Sequence, residues 1–194
     1  MLNIIIFGAP GAGKGTQAQK LAESLNLKHI STGLLLREEV AKQSEIGKKV
    51  EKIIEQGSLV NDKIVDQIIK NKIIENGHKA GFIFDGYPRN LNQAKNLDVF
   101  MSQYGLPFIL NLEVKTEYLI KRLLLRAEDY NRPDDNEVTI KHRMKIYDEQ
   151  TKPLLNFYGV KNRVFNINGE ASIEDVYKNL LDKSELIIKI DKNK

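Results

Sequence analysis

The 194-residue sequence contains no cysteine. This absence excludes disulfide bonds, thiolate zinc sites and a catalytic thiol, and it fits a protein of a reducing compartment. We therefore expect a cytoplasmic location. No apolar run approaches the roughly 20 residues that cross a bilayer, and the apolar residues 1–7 lack the basic flank of a signal peptide. The sequence predicts a soluble protein with no membrane partner.

A strong excess of charge of one sign is also missing. Thirty Lys and Arg residues stand against 26 Asp and Glu residues, a formal net charge of +4. Aromatic residues make up only 7% of the chain, and no continuous basic run with stacking aromatics occurs, which argues against a nucleic-acid-binding protein. The basic residues that group together lie beside Asp134 and Asp135, as a polyphosphate pocket requires. We interpret the charge as serving a small anion and expect no nucleic-acid partner.

The order of apolar runs along the chain predicts an α/β fold. The chain length and the 41% hydrophobic content suit one compact domain. Short apolar runs predict five strands, at residues 2–7, 28–30, 82–84, 107–114 and 163–167. Helix-length segments separate them, for example residues 62–75, with isoleucine and valine at helical spacing. Strands that alternate with helices indicate a central parallel sheet covered on both faces.

Two segments depart from this alternation. Between Thr32 and Gly77, successive helical patterns follow each other without a strand, which indicates a small helical insertion. The polar stretch 128–135 is too charged for a core and too short for a domain. We interpret both segments as covers over a functional site.

A glycine-rich loop carries the first chemical signal. Residues 8–14, Gly-Ala-Pro-Gly-Ala-Gly-Lys, fit the pattern G-x-x-x-x-G-K, directly after a predicted buried strand and before a predicted helix. In such a loop, backbone N–H groups and the helix N-terminus bind phosphate oxygens, and Lys14 supplies a full charge. The alternative is a strand-to-helix turn with an incidental lysine, which the placement of the loop disfavours.

The loop leaves the magnesium contact open. Gly15 follows Lys14 where many such loops carry a magnesium-binding Ser or Thr, and the hydroxyl arrives only at Thr16. Mg²⁺ is still required to neutralise nucleotide phosphates during transfer. Asp85, at the end of a predicted strand, is the best carboxylate for holding the water shell of the ion; its alternative role is to cap a turn. We expect no direct metal ligand from the protein.

Several motifs together resemble the adenylate kinases, within the nucleoside monophosphate kinases of the P-loop phosphotransferases. The motifs are residues 8–17, 31–37, 57–60, 84–89, 132–135 and 150–153, in the order and spacing of the family. The resemblance extends from about Met1 to about Leu181. It implies a three-layer P-loop fold with a five-stranded parallel sheet, in a monomer. The core would comprise residues 1–30, 61–124 and 136–194, with an NMP-binding helical insertion at 31–60. The lid, at 125–135, resembles the short form that binds no zinc.

The resemblance also implies the reaction and its residues. The family transfers the terminal phosphoryl group of ATP to AMP reversibly, giving two ADP. The expected catalytic residues are Lys14, Asp85, Arg89, Arg126, Arg132 and Arg143. ATP is expected to bind Gly11, Ala12, Gly13, Lys14, Gly15, Thr16, Arg122, Arg126 and Ala171. AMP is expected to bind Thr32, Arg37, Ser58, Leu59, Val60, Gly86, Tyr87, Pro88, Arg89, Gln93, Arg132 and Arg143.

Adenine is the base that the sequence favours. The side-chain amide of Gln93 can both donate to and accept from adenine, and Thr32 follows the adenylate pattern, whereas UMP/CMP kinases tend to have a small residue there. Leu34 departs from the family, which usually has an acidic residue at this position. A catalytically silent nucleotide-binding module is the alternative of another class, and the retention of Lys14 together with the arginines argues against it.

Overall fold

The computed structural model describes residues 1–76, 81–130 and 135–192, without the side chains of 128–130, 191 and 192. The strands are β1 (Asn3–Gly8), β2 (Lys28–Ser31), β3 (Phe82–Asp85), β4 (Phe108–Glu113) and β5 (Val164–Asn168). The helices are α1 (Lys14–Leu25), α2 (Thr32–Ala41), α3 (Glu45–Glu55), α4 (Asp62–Asn76), α5 (Leu91–Met101), α6 (Thr116–Tyr130), α7 (Glu137–Ile146), α8 (Leu154–Gly159) and α9 (Ile173–Lys192). A π-helical turn, Tyr147–Thr151, lies between α7 and α8.

The strands form one parallel sheet in the order β2-β3-β1-β4-β5, which confirms the predicted fold class. Strand β1 is central, and all six of its residues are buried. The chain passes from β1 outward to β2, returns to β3 on one side of β1, and then continues to β4 on the other side. In parallel sheets, ligands bind at the carboxyl ends of the strands where the order reverses in this way. The topology therefore directs attention to Gly8 and Asp85, which end β1 and β3.

Two apolar cores cover the two faces of the sheet. Because side chains alternate along a strand, Ile5 and Phe7 of β1 lie in one core, while Ile4 and Ile6 lie in the other. The first core includes buried residues of α4, α5 and α8, and the second includes residues of α1 and α9. These layers hold the carboxyl end of β1 rigidly, so that the loop that follows it has a fixed position.

The two expected covers have different structures. Helices α2 and α3 occupy most of the expected insertion and pack closely, since a Cβ on Gly47 would lie 2.1 Å from the carbonyl oxygen of Glu39. In the polar stretch 128–135, α6 continues to Tyr130; residues 131–134 lie outside the described residues. The division of the chain into core, insertion and lid stays a prediction. Within the described part of the chain, none of the helices has the length and hydrophobicity that a membrane span requires.

Candidate active site

The glycine-rich loop joins β1 to α1. Its glycines Gly8, Gly11 and Gly13 have φ angles of 145°, 85° and 88°. A Cβ on Gly11 would lie 2.6 Å from the carbonyl oxygen of Leu119, so a larger residue would not fit there. Helix α1 begins at Lys14, and Gly13 before it has no side chain to cap the first N–H groups of the helix. This arrangement suits an anion, which can accept hydrogen bonds from these N–H groups.

Lys14 lies over this loop. Its Nζ donates to the carbonyl oxygens of Gly8 and Ala9 at 2.7 and 2.8 Å. Burial lowers the pKa of Lys14 to about 7, against the opposing charge of Asp85, and nearby arginines lower the pKa further. The arginines are Arg89, Arg143 and Arg126. Such crowding of cations in a buried site is unfavourable until an anion compensates it.

Asp85 faces the start of α1 from the end of β3. Its carboxylate accepts a hydrogen bond from Ser31 Oγ at 3.1 Å, and Oδ2 lies 3.4 Å from the position of a Cβ on Gly15. Burial by itself would raise the pKa of Asp85, but the neighbouring His29, Lys14 and Ser31 hold it below its ordinary value. Asp85 is therefore an anion at neutral pH, beside the phosphate loop. In the described ranges, no group of three or more His, Asp and Glu side chains is arranged to hold a metal ion directly.

A cavity opens between the insertion and the sheet. Its walls contain nine of the residues expected to bind AMP: Thr32, Arg37, Ser58, Leu59, Val60, Gly86, Arg89, Gln93 and Arg143. Tyr87 and Pro88 line an adjoining cavity together with Lys14. Both cavities include Gly86, Arg89 and Arg143. The loop and the expected acceptor pocket therefore meet.

Arg89 is held at the boundary of the two cavities. Its Nε donates to the carbonyl oxygen of Gly86 at 2.8 Å, and Thr151 Oγ1 of the π-helical turn donates to the carbonyl oxygen of Arg89 at 2.7 Å. Burial and the charge of Arg143 lower the pKa of Arg89 to about 10, although Asp85 opposes them. The side chain stays a cation at neutral pH, directed by its backbone contacts.

Two further arginines share one buried carboxylate. Asp135, with a fully buried side chain, accepts from Nε and Nη2 of Arg126 at 2.6 and 2.8 Å, and from Nη1 of Arg143 at 2.6 Å. This contact joins the end of α6 to α7. Arg132 lies outside the described residues, so its predicted place beside these arginines stays a prediction.

The remaining predicted residues do not line either cavity. Arg122 Nη1 donates to the carbonyl oxygen of Gly169 at 3.1 Å, which brings α6 next to the segment that contains Ala171. Thr16 is exposed in the first turn of α1. Leu34, the residue that departs from the family pattern, has 51% of its surface exposed on α2 and does not line the acceptor cavity.

Comparison with known proteins decides the family. Residues 6–163 match the family model described as "Adenylate kinase". The chain belongs to the adenylate kinase family. A protein named adenylate kinase from Thermobifida fusca is 42% identical over 90% of this chain and 94% of its own length. Adenylate kinases from Azobacteroides pseudotrichonymphae and Bacteroides fragilis are each 40% identical, over 94% and 93% of this chain and over 97% and 96% of their own lengths.

The family assignment confirms the resemblance and makes the chain a nucleotide-binding phosphotransferase. The match spans the loop and both cavities, whereas Ala171 lies beyond its end. Three residues that the sequence analysis did not assign to the site contact residues that it did assign: Asp62, Asp135 and Thr151. Each forms a hydrogen bond with one of them. The only sequence signal for Asp62, Asp135 and Thr151 is that they lie in or next to the family motifs. Their hydrogen-bond partners are distant in the chain or separated from them by a turn, so local patterns do not reveal the contacts.

Proposed function

We propose that this member of the adenylate kinase family transfers the terminal phosphoryl group of ATP to AMP reversibly, giving two ADP, and so maintains the balance of adenine nucleotides. The observation that carries the proposal is the shared boundary of the two cavities. Lys14, from the phosphate loop, and Arg89 and Arg143, from the acceptor cavity, line one space. A phosphoryl group that leaves one nucleotide there has the second nucleotide next to it.

ATP binds at the phosphate loop in this proposal. The backbone of Gly11, Ala12, Gly13, Lys14, Gly15 and Thr16 holds its phosphates, and Arg126 reaches them from α6. Arg122 and the backbone of Ala171 lie near adenine. The hydrogen bond from Arg122 to the carbonyl oxygen of Gly169 supports this arrangement, since Gly169 lies two residues before Ala171.

AMP binds in the acceptor cavity. Arg37, Arg89, Arg132 and Arg143 hold its phosphate, and Gln93 contacts adenine. The remaining contacts come from Thr32, Ser58, Leu59, Val60, Gly86, Tyr87 and Pro88. Guanidinium groups suit this task because their planar forks match the oxygens of a phosphate group.

Catalysis follows from position and charge. An anionic phosphate oxygen of AMP attacks the γ-phosphorus of ATP, and the bond from that phosphorus to the β-phosphate oxygen breaks, so that ADP leaves. The attacking oxygen carries no proton, hence no general base is needed. Lys14 and the arginines neutralise the charge that spreads over the phosphoryl oxygens. Asp85 would hold the water shell of a Mg²⁺ ion bound with ATP, and the ion would supply further neutralisation of the phosphates; the proposal includes no zinc.

Closure of the short lid, 125–135, and the insertion, 31–60, excludes water, which prevents the hydrolysis of ATP. The hydrogen bond of 3.1 Å between Ser58 and His142 supports an approach of the insertion to α7. The protein acts as a monomer in the cytoplasm, with ATP, AMP and ADP as its partners and without nucleic acid or membrane.

A coupled assay of diphosphate formation with MgATP and AMP, CMP, UMP or GMP tests the function. We expect a strong preference for AMP. Preference for CMP or UMP would contradict the assigned acceptor, and the absence of turnover with any acceptor would favour a silent binding module. Lys14→Met should lower kcat about 10²- to 10³-fold. Lys20→Met, in the same helix at a surface ion pair with Glu174, should leave kcat unchanged; normal turnover by a folded Lys14→Met variant would contradict the mechanism.

A further inference from the structure

Helix α4 holds the segment after β3 through two carboxylates one turn apart. Asp62 Oδ1 accepts from Asn90 Nδ2 at 2.8 Å and from Gln93 Nε2 at 2.7 Å, while its Oδ2 accepts from Asn92 at 2.9 Å. Asp66 accepts from Tyr87 and Asn96 instead. Burial alone would raise the pKa of Asp62, but hydrogen bonds from its three amide partners hold it below its ordinary value. Asp62 is therefore an ionised group that only accepts.

These contacts fix which way the amide of Gln93 points. The side chain is buried, with 2% of its surface exposed. Its Nε2 faces the carboxylate of Asp62, and its Oε1 accepts from the backbone N–H of Arg89 at 2.8 Å. A carboxylate can only accept and a backbone N–H can only donate. The reversed amide would place donor against donor and acceptor against acceptor, so the two partners permit one orientation.

The fixed orientation determines what Gln93 can recognise in the cavity that it lines. A carboxamide has two N–H groups and two lone pairs, and Asp62 and Arg89 each use one. One N–H and one lone pair remain, each on a fixed side. Adenine presents an amino donor beside the acceptor N1, whereas the 6-oxopurine of IMP presents an acceptor beside an N1–H donor. The two bases require opposite amide orientations.

We propose that Asp62 is a specificity-determining residue of the acceptor site: it holds the amide of Gln93 in the orientation that accepts AMP and rejects 6-oxopurine monophosphates. This role rests on the proposed function, in which Gln93 contacts adenine. Asp62 acts from behind Gln93, since it lies in the wall of a neighbouring cleft formed with Asn90 and His142. It is a positioning residue, which reaches the base only through Gln93.

The test compares kcat/KM for AMP and for IMP, with MgATP, in the full chain and in variants at Asp62. We expect Asp62→Ala to lower the AMP/IMP ratio of kcat/KM about tenfold, the worth of roughly one hydrogen bond, mainly through a higher KM for AMP. Asp62→Asn should keep most of the selectivity, because its Oδ1 can still accept from Gln93. The Asp62→Asn variant also tests the inference if the alanine variant does not fold. A collapse of the AMP/IMP ratio in Asp62→Asn would contradict the proposal that an acceptor oxygen at residue 62 orients Gln93.

A matched control lies one turn along the same helix. Asp66→Ala removes hydrogen bonds from Tyr87 and Asn96 and leaves the contact between Asp62 and Gln93, so we expect a loss of stability with an unchanged AMP/IMP ratio. An unchanged ratio in folded Asp62→Ala would overturn the inference, as would an equal fall in both variants. If the unaltered protein did not use AMP, the proposed function would fail; if it preferred AMP and Asp62→Ala kept that preference, only the inference would fail.

Discussion

The contact of Asp135 with two arginines predicts a coupled loss of stability and activity in Asp135→Asn. The carboxylate is fully buried, and its two oxygens accept three short hydrogen bonds from Arg126 and Arg143. Asparagine keeps the size of the side chain but removes its charge, and its Nδ2 would face guanidinium donors. Both arginines would then lose the group that directs them toward the phosphates.

The magnitude follows from the burial of the three side chains. Removing one partner of a buried ion pair costs about 3–5 kcal/mol. The side chains of Arg126 and Arg143 are 31% and 18% exposed, so water solvates part of the charge that is left. We therefore expect a loss of about 2–3 kcal/mol in the free energy of unfolding, and a fall in Tm of about 4–12 °C for a chain of this length. Misdirected arginines should lower kcat about 10- to 100-fold.

Asp98→Asn provides a matched control away from the site. Asp98 accepts from Arg163 Nη2 at 2.6 Å and Nη1 at 3.2 Å, and its side chain is 13% exposed. Thermal unfolding and the coupled assay, at a temperature where all variants are folded, separate the two effects. We expect similar losses of stability but a change in kcat of less than about twofold for Asp98→Asn. An unchanged kcat in Asp135→Asn, or an equal fall of kcat in both variants, would refute the positioning role of Asp135.

Two further predictions concern the phosphate loop and the turn after β3. Because the pKa of Lys14 is lowered to about 7, the lysine is largely neutral above that pH. Bound phosphates should restore its proton, so ATP binding at pH 8 should be accompanied by the uptake of as much as ~0.9 proton. Calorimetry in buffers of different ionisation enthalpy measures this uptake, and its absence would show that Lys14 is already charged. Gly86→Ala should lower the free energy of unfolding by about 1–3 kcal/mol and raise KM for AMP. The reason is that Gly86 has a φ angle of 75° and that a Cβ there would lie 2.8 Å from Thr32 Oγ1. Denaturant unfolding that matches that of the unaltered protein would contradict this prediction.

The sequence predicts the fold well because its signals are local. Each of the five predicted strands is present, since each is a short apolar run between polar or glycine-containing segments. The alternation of strands and helices predicts a parallel sheet covered on both faces, and β1 is buried as expected. The order β2-β3-β1-β4-β5 comes from the structure alone. The composition of 128–135 does not show where α6 ends, and the structure continues this helix to Tyr130; the lid expected there stays a prediction.

The candidate site is predicted unevenly for a physical reason. Lys14 is predicted from the spacing of the glycine-rich loop, whereas Arg89 and the residues of the acceptor cavity are predicted from the resemblance of several motifs to the family. The carboxylates and hydroxyls that contact these residues are not predicted from the sequence. Asp62 lies 31 residues before Gln93, and Thr151 lies 62 residues after Arg89. Only the folded chain brings these pairs to hydrogen-bonding distance.

The carboxylates explain how one small site can hold several cations close together. Lys14, Arg89 and Arg143 repel one another, and this repulsion contributes to the lowered pKa values of Lys14 and Arg89. Asp85 opposes the repulsion at Lys14 and Arg89, and Asp135 does so at Arg143. Each carboxylate compensates part of the charge and leaves the rest for phosphate. A stronger set of acids would stabilise the free protein and weaken nucleotide binding, so the partial compensation suits a site whose ligands must also leave.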